Sequence, residues 1–583
     1  MKSLTEQLSD ILGRAFESAG YDPTYAAVRY SDRPDLCEFQ CNGAMAAAKA
    51  YHKAPFMIAD DVLAAIPEND LIGRIEVVKP GFINIDCADS ALADLLKAIG
   101  EDENLSIPQA EKADTVVIDY GGPNVAKPLH VGHLRSAVIG ECIKRLKRAV
   151  GHEVLGDVHL GDWGLQMGLI ITEMKERQPE LPYFDESFTG EYPAEAPFTI
   201  SELEEIYPTA SGKSKADEAY KAKALDATYQ LQIGNRGYRA LWNKIMEVSI
   251  ADLKRNYSNL NVDFDLWKAE SDAQPYIPAM IEDMKAQGIL HESEGAMVID
   301  VMEDTDTKEI PPCIIQKSDG ASLYATTDLA TLVEREKLFK PDEVLYVVDK
   351  RQEMHFTQVF RSARKAGIVR PETRLKFLGF GTMNGRDGKP FKTRDGGVMR
   401  LEMLLNDIYA EMEKKISENR NVKEEDAAAT AKIVGLSAVK YGDLSNQATK
   451  DYIFDVDKFT SFEGNTGPYI LYTIVRIKSI LEKNDGPVGP IISAASPAEK
   501  SLMLKLARFG TVIDEAAAEL APHKICAYIY STANDFNRFY HDTRILTEEN
   551  AAQKASWIGL LELTKRILEK SIDILGFSAP EHM

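Results

Sequence analysis

The chain has 583 residues, too many for one domain, and three or four are expected; its 44% hydrophobic content is ample for real cores. Its formal charge of −23 argues against indiscriminate nucleic-acid binding, although the local field decides where phosphate binds. The six cysteines form no Cys-x-x-Cys pair, so neither a zinc knuckle nor a disulfide framework is indicated, and no apolar run has signal-peptide or transmembrane length; reduced thiols in a cytoplasmic protein are the simplest reading.

Residues 1–110 read as a separate small α+β domain with 9 basic and 18 acidic residues, a net of −9. Helices are expected near Thr5–Ser18, Cys41–Tyr51 and Ala59–Ala65, and then Ile75, Val77 and Val78 lead through Pro80-Gly81 to a strand at Phe82–Ile85. The polar stretch Gly100–Asp114 is a linker. A second domain, 111–400, opens with the apolar run Val116-Val117-Ile118, the mark of a buried parallel strand. It is broken at Tyr120-Gly121-Gly122-Pro123-Asn124. After Lys127 and Pro128–His133 comes an amphipathic helix, with Leu134, Val138, Ile139, Ile143 and Leu146 on its apolar face and Arg135, Lys144, Arg145 and Arg148 elsewhere. It stops at Gly151, and Val154 and Leu155 begin another strand. Strand, loop, helix, strand is the first crossover of a Rossmann-like doubly wound parallel sheet, an α/β catalytic domain.

An insertion is expected at about 178–260. Its second half looks helical over Ala224–Leu260, with Leu225, Tyr229, Ile233, Leu241, Ile245 and Leu253 as packing residues, and Val262–Asp265 returns to the sheet. Residues 401–450 read as a connecting helical region and 451–583 as an all-α bundle. In that bundle Ser496-Pro497-Ala498-Glu499 is a capping box opening a helix over Lys500–Glu519.

The chemistry concentrates at the first strand–helix turn. His130 and His133 share a helix face, so both imidazoles can meet one ligand outside the helix N-terminus, where free N–H groups favour phosphate. Gly132 between them leaves room for a base or ribose. From Arg351 to Arg400 there are 12 Lys and Arg against 4 Asp and Glu, a net of +8. Within that segment Asn384–Gly397 is a Gly-rich basic loop in which Arg386, Lys389, Lys392 and Arg394 can neutralise a triphosphate; no Gly-Lys-Ser/Thr ends it, so it is not a Walker A loop. A carboxylate with aromatic or amide support is suited to a planar cation with several donors. Asp119 stands at the end of the first strand, and Tyr324 and Asp328 lie four apart.

Pro123–Arg135 resembles the HIGH motif of class I aminoacyl-tRNA synthetases in the extended form of the arginyl-tRNA synthetases. Gly156-Asp157, Gly161–Gly164, Tyr324–Ala330 and Asp349–Phe356 resemble further blocks of that family. The resemblance implies ATP-dependent activation of L-arginine and its transfer to tRNA(Arg), with Mg2+ bound with ATP, no zinc, no membrane, a monomer, and tRNA bound before activation. It implies that Asp119, Asn124, Tyr324, Asp328 and Gln352 hold arginine, although the family commonly has Glu where Asp119 stands. It puts His130, His133, Lys127, Lys392 and Arg394 in catalysis and His130, Gly132, His133, Lys389, Lys392 and Thr393 on ATP. The basic loop resembles a degraded KMSKS loop, with Thr393 where the second lysine would be and Lys127 the candidate for the missing charge. By the same resemblance residues 1–110 contact the tRNA corner and 451–583 bind the anticodon, where Tyr528, Asn534, Asn537, Arg538, Phe539 and Tyr540 suit base stacking as well as core packing. A synthetase-like tRNA-binding protein without catalysis is the alternative.

Overall fold

The computed structural model describes residues 2–317, 323–389, 399–418 and 424–583, in two compact units. One comprises Met1–Gln109, Phe462–Asp573 and Ser578–Met583; the other comprises Ala110–Ser461 and Ile574–Phe577.

The first unit begins with α1 (Leu4–Ser18), whose start is fixed by a Ser3–Glu6 capping box and whose Leu4, Leu8, Ile11 and Leu12 are buried. Strands β1 (Val28–Tyr30) and β2 (Phe39–Cys41), helices α2 (Gly43–Tyr51) and α3 (Pro55–Ala64), and strands β3 (Ile72–Val78) and β4 (Phe82–Cys87) follow, then α4 (Asp89–Glu101). The strands form an antiparallel sheet in the order β1-β2-β4-β3.

The second unit is built on β5 (Thr115–Tyr120), α5 (Val131–Ala149), β6 (Glu153–Asp157) and α6 (Leu165–Arg177). An excursion through α7 (Ile200–Ala216), α8 (Glu218–Gln232) and α9 (Arg236–Asn259) follows, then the short α10 (Glu270–Ala273) and α11 (Ile277–Ala286). A ribbon of β7 (His291–Ser293), β8 (Ala296–Ile299) and β9 (Cys313–Gln316) precedes α12 (Tyr324–Phe339), β10 (Glu343–Asp349), α13 (Glu353–Lys365) and β11 (Arg374–Phe380). Next come β12 (Met383–Asn384), α14 (Leu401–Ser417), α15 (Glu424–Leu444), β13 (Tyr452–Ile453) and α16 (Val456–Phe459). The central sheet is parallel throughout, in the order β11-β10-β5-β6. Its topological switch point therefore lies between β5 and β10, and a ligand belongs at their carboxyl ends. The chain at Val262–Asp265 forms no full strand; it meets the end of β6 through single bridges, Asp157 to Leu266 and Leu160 to Ala269.

The rest of the first unit is helical: α17 (Gly467–Glu482), α18 (Pro497–Ala507), α19 (Phe509–Glu519), α20 (Pro522–Asp542) and α21 (Ala551–Leu575). The expected helix over Lys500–Glu519 is two, interrupted at Arg508, whose guanidinium lies 4.1 Å over the Tyr30 ring. The cap of α18 is half a capping box. Ser496 accepts from the Glu499 N–H, but the Glu499 carboxylate accepts from Ala495 instead of closing back on Ser496.

Helix α5 departs from a simple amphipathic pattern, because Arg135 and Lys144 are buried with its apolar residues. Lys144 pairs with Glu141 at 2.9 Å, and Glu141 also accepts from the Tyr120 hydroxyl of β5. Arg135 pairs with Asp443 of α15 at 3.0 Å and donates to the carbonyls of Gly381 (2.7 Å) and Lys450 (2.9 Å). The Tyr452 hydroxyl donates to the same carboxylate at 2.8 Å. In the excursion, Leu241, Ile245 and Leu253 are buried as packing residues should be, but Leu225, Tyr229 and Ile233 are 51%, 58% and 59% exposed. They form one outer stripe running along α8 to its C-cap Ile233, after which Gly234 (φ 98°) turns the chain and Asn235 caps α9.

Removing one member of a fully buried ion pair leaves the other without a partner, at a cost of about 3–5 kcal/mol. Arg135→Leu is therefore expected to lower the free energy of urea unfolding of the Ala110–Ser461 unit by that amount, read from tryptophan fluorescence; a change below about 1 kcal/mol would show that Asp443 is rescued by its other partners.

Candidate active site

The break after β5 forms a shaped loop over the carboxyl edge of the sheet. Asn124 bridges to Gly161, where a Cβ would stand 2.1 Å from the Asn124 side-chain oxygen, so only glycine lets that amide sit down on the backbone. Ala126 takes a left-handed conformation (φ 59°), and its N–H donates to the Ser249 hydroxyl at 3.0 Å. The Gln166 amide donates to the Val125 carbonyl. Above this loop is a cleft of about 760 Å³ lined by Asn124, Lys127, Trp163, Tyr207, Glu270 and Tyr324, among others. Three of the expected site residues, Asn124, Lys127 and Tyr324, thus come together although 200 residues separate the first from the last. A second cleft of about 820 Å³ by α11 and α12 carries none of them.

His130 and His133 close the start of α5 on themselves. The Gly132 N–H donates to His130 Nδ1 (3.0 Å), and the His130 N–H donates to His133 Nδ1 (3.1 Å); the rings lie 3.9 Å apart. Since each Nδ1 accepts, each neutral ring carries its proton on Nε2 and presents an N–H donor there. Both rings are held neutral at pH 7. Burial, with Lys127 adding, lowers the His130 pKa, and burial with His130 beside it pushes His133 to about 3. Two sequence expectations change here. The space at Gly132 is taken by the His130 ring, since a Cβ would lie 2.7 Å from its Cε1, so glycine makes room for the imidazole rather than for a base or ribose. The helix N–H groups are also not free: Val131 donates to the Met399 carbonyl (3.1 Å), Gly132 to His130 Nδ1, and His133 to the His130 carbonyl (2.8 Å). Positive charge for a polyanion must therefore come from side chains.

Below the loop lies a buried charge cluster. Arg335 of α12 donates from one nitrogen to Asp119 at the end of β5 (2.6 Å) and to Asp157 at the end of β6 (2.7 Å). His159 Nδ1 lies 3.7 Å from Asp157. Among the described residues Asp119, Asp157 and His159 are the one group spaced to hold a metal, but the Arg335 guanidinium already fills that place. One oxygen of Asp119 is thus committed inside the protein, and its carboxylate is mostly covered. Burial disfavours a charged His159, yet Asp157 and Asp119 outweigh it and raise its pKa to about 9. Asp157 is held well below the ordinary range: burial opposes this, but His159 and Arg335 prevail.

On α12, Tyr324 is 75% exposed, and Asp328 one turn on takes the His355 Nε2 at 2.6 Å. His355 is on the first turn of α13, whose exposed N-cap residue is Gln352. The basic loop is partly visible. Lys389 is exposed, whereas Arg386 is consumed by Asp455 (2.5 Å) and Asp457 and is not available to a triphosphate. Lys392, Thr393 and Arg394 lie outside the described residues.

A family model for the class I (R) tRNA synthetase catalytic domain matches residues 95–456, more than half of the chain. The chain belongs to the arginyl-tRNA synthetase family. Models for the arginyl-tRNA synthetase N-terminal domain and the DALR anticodon-binding domain match residues 2–87 and 470–583. Similar curated relatives include the arginine–tRNA ligases of Agathobacter rectalis (64% identical) and Alkaliphilus oremlandii (54%), each aligned over the whole of both chains. Among solved structures, the arginyl-tRNA synthetase of Plasmodium falciparum superposes with a TM-score of 0.82 at 25% identity, covering 100% of this chain and 99% of that one. That of Thermus thermophilus shares the fold, with a TM-score of 0.79 at 22% identity and full coverage of both chains.

In this synthetase the DALR bundle uses several of the aromatic and amide residues for its own packing. Phe539 is buried, and Tyr528 is buried with its hydroxyl donating to Lys505 (3.0 Å); Asn534 and Asn537 bond the Tyr469 hydroxyl, while Arg538 and Tyr540 remain exposed. No helix among the described residues is long and apolar enough to cross a membrane. Sequence reasoning missed Arg335 and His159. The signal for His159 was its place two residues past Gly156-Asp157, at the end of the second strand, where a doubly wound sheet carries its ligands. Arg335 carried no local signal beyond a cation in a buried stretch of helix.

Because the His159 pKa is raised from 6.5 to about 9 on folding, its contribution to stability is complete below pH 6.5 and lost as pH rises through 9. His159→Gln is expected to be less stable than the parent at pH 6, with the gap in melting temperature closing by pH 10; a gap independent of pH would mean that His159 acts by packing alone.

Proposed function

We infer that the chain is an arginine–tRNA ligase that couples ATP to the joining of L-arginine and tRNA(Arg). The observation that carries this is the full-length match at 64% identity to a curated arginine–tRNA ligase, in a chain whose signature histidines and Asp328 are all present. A tRNA-binding relative without catalysis is not favoured, since it has no need of them. In the first step an oxygen of the arginine carboxylate attacks the α-phosphorus of ATP, the bond to the β-phosphate breaks and pyrophosphate leaves. In the second, the terminal ribose hydroxyl of tRNA attacks the arginyl carbonyl and AMP departs. Neither step needs a protein nucleophile; both need stabilisation of charge as it moves.

We assign that stabilisation to the Nε2–H donors of His130 and His133 and to the cations Lys127, Lys389, Lys392 and Arg394, with Thr393 beside the nucleotide and Gly132 seating the His130 ring. Neutral imidazoles suit this: they donate to phosphate oxygens without drawing a proton from solvent at pH 7. Asp328 is assigned to the substrate guanidinium, flanked by Tyr324 and Gln352, with Asn124 at the arginine α-carbon end. The His355 contact keeps the Asp328 carboxylate oriented. Asp119 contributes through the oxygen that Arg335 leaves uncommitted. Mg2+ enters with ATP on its phosphates; the protein's own Asp119–Asp157–His159 group does not fit a resident ion, because Arg335 occupies it. The protein is read as a cytoplasmic monomer that requires tRNA before it activates arginine, with residues 1–110 at the tRNA corner.

ATP–pyrophosphate exchange tests the reading. Exchange is expected only with arginine and tRNA together; exchange without tRNA would remove the coupling, and none with any amino acid would return the chain to RNA binding. Asp328→Asn is expected to raise the arginine KM at least tenfold with the ATP KM unchanged, as loss of a charge-assisted pair does, whereas His133→Ala should lower kcat about a hundredfold.

A further inference from the structure

Helix α7 belongs to the excursion that leaves the core after α6, yet it touches both segments that resemble nucleotide-binding signatures. On one side the Tyr207 ring faces the cleft, and the Lys127 ammonium lies 4.2 Å over its centroid. One turn earlier the Glu204 carboxylate, nearly covered, pairs with Arg400 at 2.6 Å. Arg400 is the far anchor of the basic loop. Its neighbours are laced to the histidine segment, with Leu401 N–H on the Leu129 carbonyl (2.9 Å) and Val131 N–H on that of Met399 (3.1 Å).

We propose that α7 positions the Lys127 ammonium for the activation step, with Tyr207 as the positioning residue. A lysine has a flexible four-carbon stem and must lose rotamer freedom to meet a phosphate. A carboxylate could order it only by cancelling its charge. An aromatic face orders the ammonium and leaves the full charge for the ligand. Among the described residues Lys127 has no carboxylate partner, whereas Arg400 has one; the first is a charge kept for use, the second an anchor. Although Pro208 interrupts its hydrogen-bond ladder, the helix is tied to its neighbours. Leu203, Ile206 and Ala210 are buried beneath it, and Lys213 pairs at 2.8 Å with Glu173, which also takes the Tyr220 hydroxyl of α8.

This rests on the assignment of Lys127 to phosphate, and the test separates the two. Arginine- and tRNA-dependent pyrophosphate exchange is measured for Lys127→Ala, Tyr207→Leu, Tyr207→Phe and the Lys127→Ala/Tyr207→Leu double variant. Tyr207→Leu is expected to lower kcat/KM for ATP about tenfold, within the range of a desolvated cation–π contact, with the arginine KM unmoved. Tyr207→Phe keeps the ring and should stay within twofold of the parent. In the Lys127→Ala background, Tyr207→Leu should cost nothing further. Should leucine unfold the unit, Tyr207→Gln and Tyr207→Trp supply the same contrast, with Gln losing and Trp keeping activity. The proposal is overturned if Tyr207→Leu matches the parent, if Tyr207→Phe loses as much as Leu, or if the loss persists in full without Lys127. If Lys127→Ala itself leaves exchange unchanged, the Lys127 assignment fails first.

Discussion

One buried guanidinium holds the catalytic edge in register. Arg335 reaches from the fourth turn of α12 to two carboxylates, Asp119 on β5 and Asp157 on β6, with the Tyr346 ring of β10 at 5.4 Å. Replacing such an ion pair by apolar residues often costs little, so its main contribution here is position rather than stability. It ties three adjacent strands to the helix whose first turns carry Tyr324 and Asp328. Glu334 with Lys268 and Glu336 with Arg370 also tie this half of α12 to its surroundings, but of these side chains it is Arg335 that reaches the strand ends. Asp157 and Asp119 keep His159 protonated although burial and the same guanidinium oppose it.

A second buried arginine does the corresponding work for the other half of the site. Arg135 joins the signature helix to Asp443 and Lys450 and to Gly381, which stands just before the basic loop. The loop is therefore anchored at both ends to the helix that carries the histidines, through Gly381 at one end and the Met399–Leu401 pairing at the other. Since the helix N-terminus spends its N–H groups on the two imidazoles and on that pairing, it cannot cradle phosphate as a Gly-rich P-loop does. The burden passes to Nε2–H donors and side-chain ammonium groups, which have to be placed rather than merely present.

What could be read from the sequence was what local pattern encodes. The run Val116–Ile118, the breakers at Gly121–Pro123 and the 3.6-residue period from Leu134 to Leu146 gave β5, the loop and α5 nearly to the residue, and Gly151 gave the stop. The pairing of Asn124, Lys127 and Tyr324 in one cleft was legible only because several blocks matched a known family. The burial of Arg135 and Lys144 was not legible, because their partners are Asp443 and Glu141 in a setting that only the tertiary fold creates. The exposure of Leu225, Tyr229 and Ile233 was missed for the opposite reason: helical spacing says which residues share a face, but not whether anything covers it. The break at Arg508 lacks glycine or proline, so local reading ran one helix through it.

The acidic composition and the polyanionic substrates are reconciled by position, not by count. The basic stretch between Arg351 and Arg400 has a net charge of +8, yet much of it is already engaged: Arg361 with Asp306, Arg370 with Glu336, Arg374 with Asp114 and Glu343, and Arg386 with Asp455. These pairs hold the second unit together and offer little to a phosphate. A cation counts for catalysis only when its neighbours order it without neutralising it. Among the residues described, Lys127 over an aromatic ring meets that condition, and the salt-bridged arginines around it do not.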